Sequence, residues 1–329
     1  MLFCSCGRRV QLLQFMKESL GEDCRIVATD LQATAPALYV ADTHHLVPPI
    51  SSPDYLPSIV EIAKKEGVQA VTTLIDPEIE ILARHRSEFE KEGILVLAPE
   101  AETAHLCFDK YEMYRHLTAH GIRTTLTYDT MEHFREGLAK GEISFPVFIK
   151  PRTGSGSVGA HKCETPEELD SYWQDGKFSY IIQEFMSSGD CDADVYIDCI
   201  SHRPVAAFSK RKIETKIGGA SKTVSFKDEK LFDFIRQICN VFTFYGPVDM
   251  DFWYKDGEYY LSEINPRFGG AYLHAYGAGV DFFRLIQRNM QGKENKENIG
   301  DYDEDIVMMM YDSVVIKRRA DLAGNITTL

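Results

Sequence analysis

Apolar residues along the first hundred positions alternate between two textures. Short unbroken runs at Leu2–Cys6, Arg25–Asp30, Val68–Asp76 and Ile94–Pro99 read as strands. Segments with helical spacing lie between them, the first at Val10–Leu20. Strands alternating with helices predict a parallel, doubly wound, Rossmann-like sheet. Ligands on such sheets sit at the carboxyl ends of strands, where Gly7, Arg8, Asp30, Asp76 and Glu78 fall. The first turn holds Gly7 without a G-x-G-x-x-G pattern, so a dinucleotide is poorly supported there. Arg8 and Arg9 have two readings, an anion site at the helix start or plain surface charge.

After Pro99 the texture changes. A helix is predicted over Ala101–His120, then short apolar segments dominate at Phe145–Pro151, Tyr180–Phe185, Val195–Ile200, Pro204–Lys212 and Val248–Pro266. Helical stretches interrupt them near Pro166–Trp173 and Asp228–Phe242. Asp256-Gly257 between two strand-like runs predicts a hairpin. This is α+β texture with antiparallel sheets. Gly292–Asp305 is a charged, solvated connection, and one more apolar run, Ile306–Ile316, follows it.

Composition narrows the classes. At 329 residues the chain has room for roughly two or three domains of about 100–200 residues. Its 36 basic and 50 acidic residues give a net charge of −14, which argues against broad nucleic-acid binding. No apolar run approaches the ~20 residues of a membrane span, and the N-terminus lacks a leader pattern. A cytoplasmic protein without membrane or nucleic-acid partners is expected. Most of the eight cysteines lie in apolar runs, as buried reduced thiols do. Cys4-x-Cys6 has no second ligand pair after it, so a structural role outweighs a metal or redox one.

Three stretches carry candidate chemistry. Lys150 ends an apolar run, and Thr153-Gly154-Ser155-Gly156-Ser157 follows with little side-chain bulk. Successive N–H groups in such a loop form an anion cradle, although no G-K-[ST] makes it a Walker loop. The second stretch holds Asp249, Asp251, Glu263 and Asn265 on two strands of the predicted hairpin. Alternate residues share a face, and hard oxygens of this kind suit Mg²⁺. Like charges opposed across strands are unfavourable without a cation. Arg267 follows closely, and its planar fork suits a transferring phosphoryl group. The third stretch, Gln183-Glu184-Phe185-Met186 with Asp190 beyond, is either an adenine-binding segment or an ordinary strand-to-turn transition.

Taken in order, Asp109-Lys110, FPVFIKP, the Gly/Ser loop, IQEF, GPVDMDF and EINPRFGG resemble the ATP-grasp superfamily. The subgroup they resemble most is that of the carbamoyl phosphate synthetase large chain. The resemblance covers about Ala101–Leu285, and the opening third is similar to the pre-ATP-grasp domain. It implies a Rossmann-like domain at 1–99 and an ATP-grasp domain at 100–300, divided into 100–178 and 179–300. A C-terminal extension at 301–329 would pack on the ATP-grasp domain.

The resemblance also implies roles. Lys110 and Lys150 would hold ATP phosphates, and the loop Thr153–Gly159 would close over them. Gln183 to Met186 would form the adenine hinge, and Asp190 would meet the ribose. Asp251, Glu263 and Asn265 would bind two Mg²⁺ ions, with Mn²⁺ as a substitute, and Arg267 would stabilise the phosphoryl group in transfer. The family commonly has Glu or Gln where this chain has Asp251, and Glu at Asp190. Both changes shorten the arm.

The implied activity is an ADP-forming ligase joining a carboxylate to an amine or thiol through an acyl phosphate. Alternatives are carbamoyl-phosphate-type phosphorylation and a nucleotide-binding module without turnover. The implied partners are small carboxylates and amines, with a homodimer as a possible assembly. Ser209–Thr223 is locally basic, with Lys210, Lys212, Gly218 and Gly219 as a possible substrate loop. A solvated basic hairpin is the alternative reading.

Overall fold

A computed structural model of the chain describes residues 1–324 apart from Ser155, Ser188, Ile217 and Gly218. Strand β1 (Leu2–Cys4) is buried at every position, as an unbroken apolar run between two covered faces requires. It pairs in parallel with β2 (Val27–Asp30) on one side, which in turn pairs with β3 (Thr43–Leu46), and with β4 (Ala70–Thr73) on the other, which pairs with β5 (Leu95–Val96). The order β3-β2-β1-β4-β5 reverses direction between β1 and β4, where such sheets open a crevice. The first strand stops two residues short of the predicted end, because Ser5 and Gly7 both turn to φ 48. The helix Val10–Leu20 packs Leu12, Leu13, Met16 and Leu20 inward along one stripe.

A second sheet contains β6 (Thr127–Tyr128), β7 (Val147–Pro151), β8 (His161–Cys163) and β9 (Tyr180–Glu184) in the antiparallel order β6-β9-β7-β8. The division expected between residues 178 and 179 cuts this sheet, because β9 pairs with both β6 and β7. The strand therefore packs with the half that precedes it.

The third sheet is built from β10 (Cys191–Ile197), β11 (Pro204–Lys216), β12 (Gly219–Phe226), β13 (Gly246–Lys255), β14 (Glu258–Asn265) and β15 (Val307–Met309). Its order is β14-β13-β10-β11-β12-β15, antiparallel throughout. One apolar core runs through this sheet into the N-terminal one. Phe3 lies 6.5 Å from Phe268 between ring centres, and Phe15 stacks on Tyr276 at 4.6 Å. The tail pairs with the third sheet through β15, and its last described residues return to the N-terminal sheet, where Ala323 donates to the Tyr39 hydroxyl at 3.2 Å.

The single helix predicted over Ala101–His120 is two helices, Ala101–Phe108 and Lys110–Ala119. Asp109 breaks them with φ −94 and ψ 102, and its carboxylate caps the amides of Tyr111 and Glu112. Asp109-x-x-Glu112 is an acidic relative of the capping-box pattern, a readable signal for this break. The break places Lys110 in the first turn, facing the centre of the molecule.

Candidate active site

A cavity of about 280 Å³ lies between the second and third sheets. Lys110, Lys150, the loop residues Thr153, Gly154, Gly156 and Ser157, and Asp190, Lys212, Asp251, Trp253 and Glu263 are among its lining residues. Lys150 sits on β7 and Lys110 on the capped helix, so two different elements aim ammonium groups at one space. Lys110 donates to the Gly154 carbonyl at 2.6 Å and lies 3.9 Å from Glu263. Among the described residues Lys150 has no hydrogen-bond or ion-pair partner, and it is 9 % exposed. Ser155, expected in the same loop, lies outside the described residues.

The acids arrive by strand register. Asp251 pairs with Glu263 and Asp249 with Asn265 across β13 and β14. The turn is tight because Asp256 and Gly257 both have positive φ, 53 and 82, as a two-residue hairpin of primed type needs. The register slips next to the site, where Asp251 faces Glu263 but Phe252 faces Leu261. Ser262 is the extra residue. In an unbroken strand Leu261 and Glu263 would share a face. The bulge sends Leu261 into the core beside Phe252 and leaves Glu263 facing the cavity.

Beneath this pair lies an acidic floor that the sequence reading missed. Asp192 and Asp194 on β10 stand opposite Asp251 and Asp249. Lys210, fully buried on β11, bridges them at 3.2 and 2.5 Å. Burial alone would depress its ammonium, but Asp192, Asp194 and Asp249 outweigh that and raise it. Burial also pushes Asp194 up to about 6. The backbone crowds this floor at Gly269, where a Cβ would stand 2.5 Å from an Asp194 oxygen. The alternation Asp190, Asp192, Asp194 between apolar neighbours was the available signal.

Lys210 therefore does not belong to a substrate loop, and neither lysine is on a loop at all. Both sit on β11, and Lys210 is spent on the floor because a fully buried ammonium needs paired carboxylates. Lys212 reaches the cavity and Gly219 starts the exposed end of β12, while Gly218 lies outside the described residues.

Arg267 is absent from the cavity lining. Its Nε donates to Asp76 at 2.9 Å, and Nη1 to the Phe268 carbonyl at 3.1 Å and Asp249 at 3.4 Å. Burial opposes its charge, but Asp76 and Asp249 hold it above the ordinary range. Arg9 donates to the carbonyls of Phe268 and Gly269 at 3.2 and 2.6 Å. Of the two readings for the Arg8–Arg9 pair, Arg9 takes neither: it ties the N-terminal sheet to the segment carrying Arg267. Glu78 is also structural. It accepts from Thr73 at 2.6 Å and from Tyr55, and burial pushes it up to about 8.

The segment Gln183–Met186 lies outside the cavity lining. Gln183 donates to Thr127 at 2.8 Å, the Glu184 carboxylate accepts from the Leu126 amide at 3.0 Å, and Phe185 packs under Lys162. Asp190 does line the cavity, and its carboxylate is 2.9 Å from Lys212.

Asp251, Glu263 and Asn265 offer hard oxygens at neighbouring register positions, and the two carboxylates face the cavity. Among the described residues no three His, Cys, Asp or Glu side chains form a ready-made metal cage. The two carboxylates fit Mg²⁺, which takes one or two protein carboxylates and fills its shell with water and substrate phosphates.

Burial lowers Lys150 to about 8, with Glu263 opposing the shift and Lys110 adding to it. Phosphate binding needs the charged form. ADP affinity is therefore expected to fall as pH rises through about 8, approaching about tenfold per pH unit above it. Lys150→Arg keeps its charge and is expected to flatten the decline. Calorimetric titrations from about pH 7 to about pH 9.5 test this, and a flat profile in the intact chain would remove Lys150 from the phosphate contact.

A family model described as an ATP-grasp domain matches residues 107–271, and one described as a PylC-like, N-terminal domain matches residues 1–97. Formate-dependent phosphoribosylglycinamide formyltransferase of Psychromonas ingrahamii is 27% identical over 263 residues, covering 74% of this chain and 62% of that protein. The chain thus spans less than two thirds of that relative's length. The biotin carboxylase domain of Hydrogenobacter thermophilus 2-oxoglutarate carboxylase, solved with MgADP, ADP and bicarbonate, superposes with a TM-score of 0.74 at 18% identity. That match covers 93% of this chain and 72% of the other. N5-carboxyaminoimidazole synthetase from Staphylococcus aureus, solved with ADP, gives 0.69 at 13% identity, covering 90% and 78%. With half of its residues inside the ATP-grasp model and the same fold in both solved structures, the chain belongs to the ATP-grasp family.

Proposed function

We propose that the chain is an ADP-forming ligase that activates a small carboxylate with ATP and joins it to an amine or a thiol. The observation that carries this reading is one cavity with Lys110 and Lys150 on one side and Asp251 and Glu263 on the other. Phosphoryl transfer asks for positioning and charge neutralisation, with little covalent work by the protein. The substrate carboxylate attacks the γ-phosphorus, and ADP leaves with the electron pair of the broken P–O bond. The amine nitrogen then attacks the acyl carbon, phosphate leaves, and the nitrogen gives up a proton.

In this reading Lys110 and Lys150 hold the phosphates, and the loop from Thr153 to Gly159 covers them. Gln183 to Met186 offer the adenine hinge, Asp190 the ribose contact, and Arg267 steadies the phosphoryl group. Asp251, Glu263 and Asn265 would hold Mg²⁺, read as two ions. Bound there, Mg²⁺ would neutralise charge on the phosphate oxygens. A smaller cavity shares Gly154 and Glu263 with the first and continues toward Asp76 and Cys107, which supports an acceptor site on the N-terminal side. The eight free cysteines support a reducing compartment such as the cytoplasm, and a homodimer is part of the proposal.

Bicarbonate in a solved structure of the same fold supports keeping bicarbonate with ammonia, the carbamoyl-phosphate route, among the substrates tested. ADP release from Mg²⁺-ATP is to be measured with pools of amino acids, small dicarboxylates, and bicarbonate with ammonia. Release confined to one pool is expected. Release in no pool, from a chain that binds ADP, would replace the ligase by a nucleotide-binding module.

A further inference from the structure

Three ammonium groups face the cavity, and they are engaged differently. Lys150 is free among the described residues, and Lys110 holds a backbone carbonyl at 2.6 Å. Lys212 instead bridges two carboxylates, Asp251 Oδ1 at 2.5 Å and Asp190 Oδ1 at 2.9 Å. Its backbone amide also donates to the Asp190 carbonyl at 3.3 Å, which fixes the root of the side chain beside its partners. The side chain is 15% exposed, so the pair is shielded but open to the cavity. Asp251 is one of the few oxygens on this wall suited to a divalent cation, and an ammonium already occupies one of its lone-pair sites.

We propose that Lys212 is a stand-in cation, holding Asp251 and Asp190 until nucleotide and metal enter together and then moving to the phosphate chain. The inference rests on the ligase reading of the cavity. A lysine suits the task because its ammonium is a point charge on a flexible stem with three donors, of which these carboxylates take two. Without nucleotide, a divalent cation must displace the charge-assisted Lys212–Asp251 bond to reach Asp251. With nucleotide present, the displaced ammonium gains phosphate oxygens. Metal binding is thereby made conditional on nucleotide.

The test is Mn²⁺ binding followed by electron paramagnetic resonance, with and without ADP, on the whole chain. Lys212→Met is expected to bind Mn²⁺ about tenfold more tightly without nucleotide, because one charge-assisted bond no longer opposes it. It is expected to bind ADP about tenfold more weakly. Lys222→Met, whose lysine pairs with Glu214 away from the cavity, is expected to change neither affinity and controls for loss of charge alone. Lys212→Gln covers the case in which the methionine variant does not fold. Unchanged or weaker nucleotide-free Mn²⁺ binding in the folded Lys212 variants would overturn the inference while leaving ADP binding by the intact chain untouched. Absence of ADP binding by the intact chain would overturn the ligase reading and this inference with it.

Discussion

Arg267→Lys is expected to lower the rate of ADP formation by about a hundredfold to a thousandfold, with ADP affinity nearly unchanged. The guanidinium uses its planar fork in three directions, toward Asp76, Asp249 and the Phe268 carbonyl. A lysine keeps the charge but cannot reproduce that set of angles. Arg267 is absent from the cavity lining, so the proposed steadying of the phosphoryl group would act in the transition state more than on bound ADP. That is why the effect is expected in the rate and not in nucleotide binding. Asp76→Asn removes one charged anchor while keeping its shape, and a smaller loss of about tenfold is expected. Steady-state ADP release and calorimetric ADP binding separate the two quantities. An Arg267→Lys enzyme as fast as the intact chain would remove Arg267 from the chemistry.

Much of this architecture is readable from local pattern. The alternation of the first hundred residues gives parallel pairing, and the turn at Asp256-Gly257 gives the hairpin that sets Asp251 against Glu263. Both depend on periodicity and turn chemistry, which act over a few residues. What escaped depends on contacts between distant segments. Lys210 looks like a solvated charge in a basic run, and only the register of β10 against β11 shows it buried between two aspartates. Arg9 looks like a surface residue until the segment after Asn265 folds back over the first sheet. The bulge at Ser262 has no local turn residue to announce it. Its cause is the conflict between Leu261, which belongs in the core, and Glu263, which belongs at the cavity.

That conflict makes Glu263 the most informative single position. Glu263→Ala is expected to reduce ADP formation by at least about a hundredfold, a loss of several kcal/mol of charge stabilisation. The fold is expected to stay intact, with stability changed by no more than about 0.5 kcal/mol. The reason is that Glu263 is 26% exposed and its nearest ion pair, to Lys110, is long at 3.9 Å. Little native structure depends on it. If the carboxylate were a structural acid like Glu78, the order would reverse, with a large drop in melting temperature preceding any specific loss of rate. Glu78 is fully buried and hydrogen-bonded, and it is the natural comparison. Thermal unfolding of Glu263→Ala and Glu78→Ala beside their rates of ADP release decides the matter. Full activity in a folded Glu263→Ala protein would remove the metal-bound phosphoryl transfer on which the ligase reading stands. Loss of rate with the melting temperature preserved would tie the carboxylate that the bulge turns outward to turnover rather than to folding.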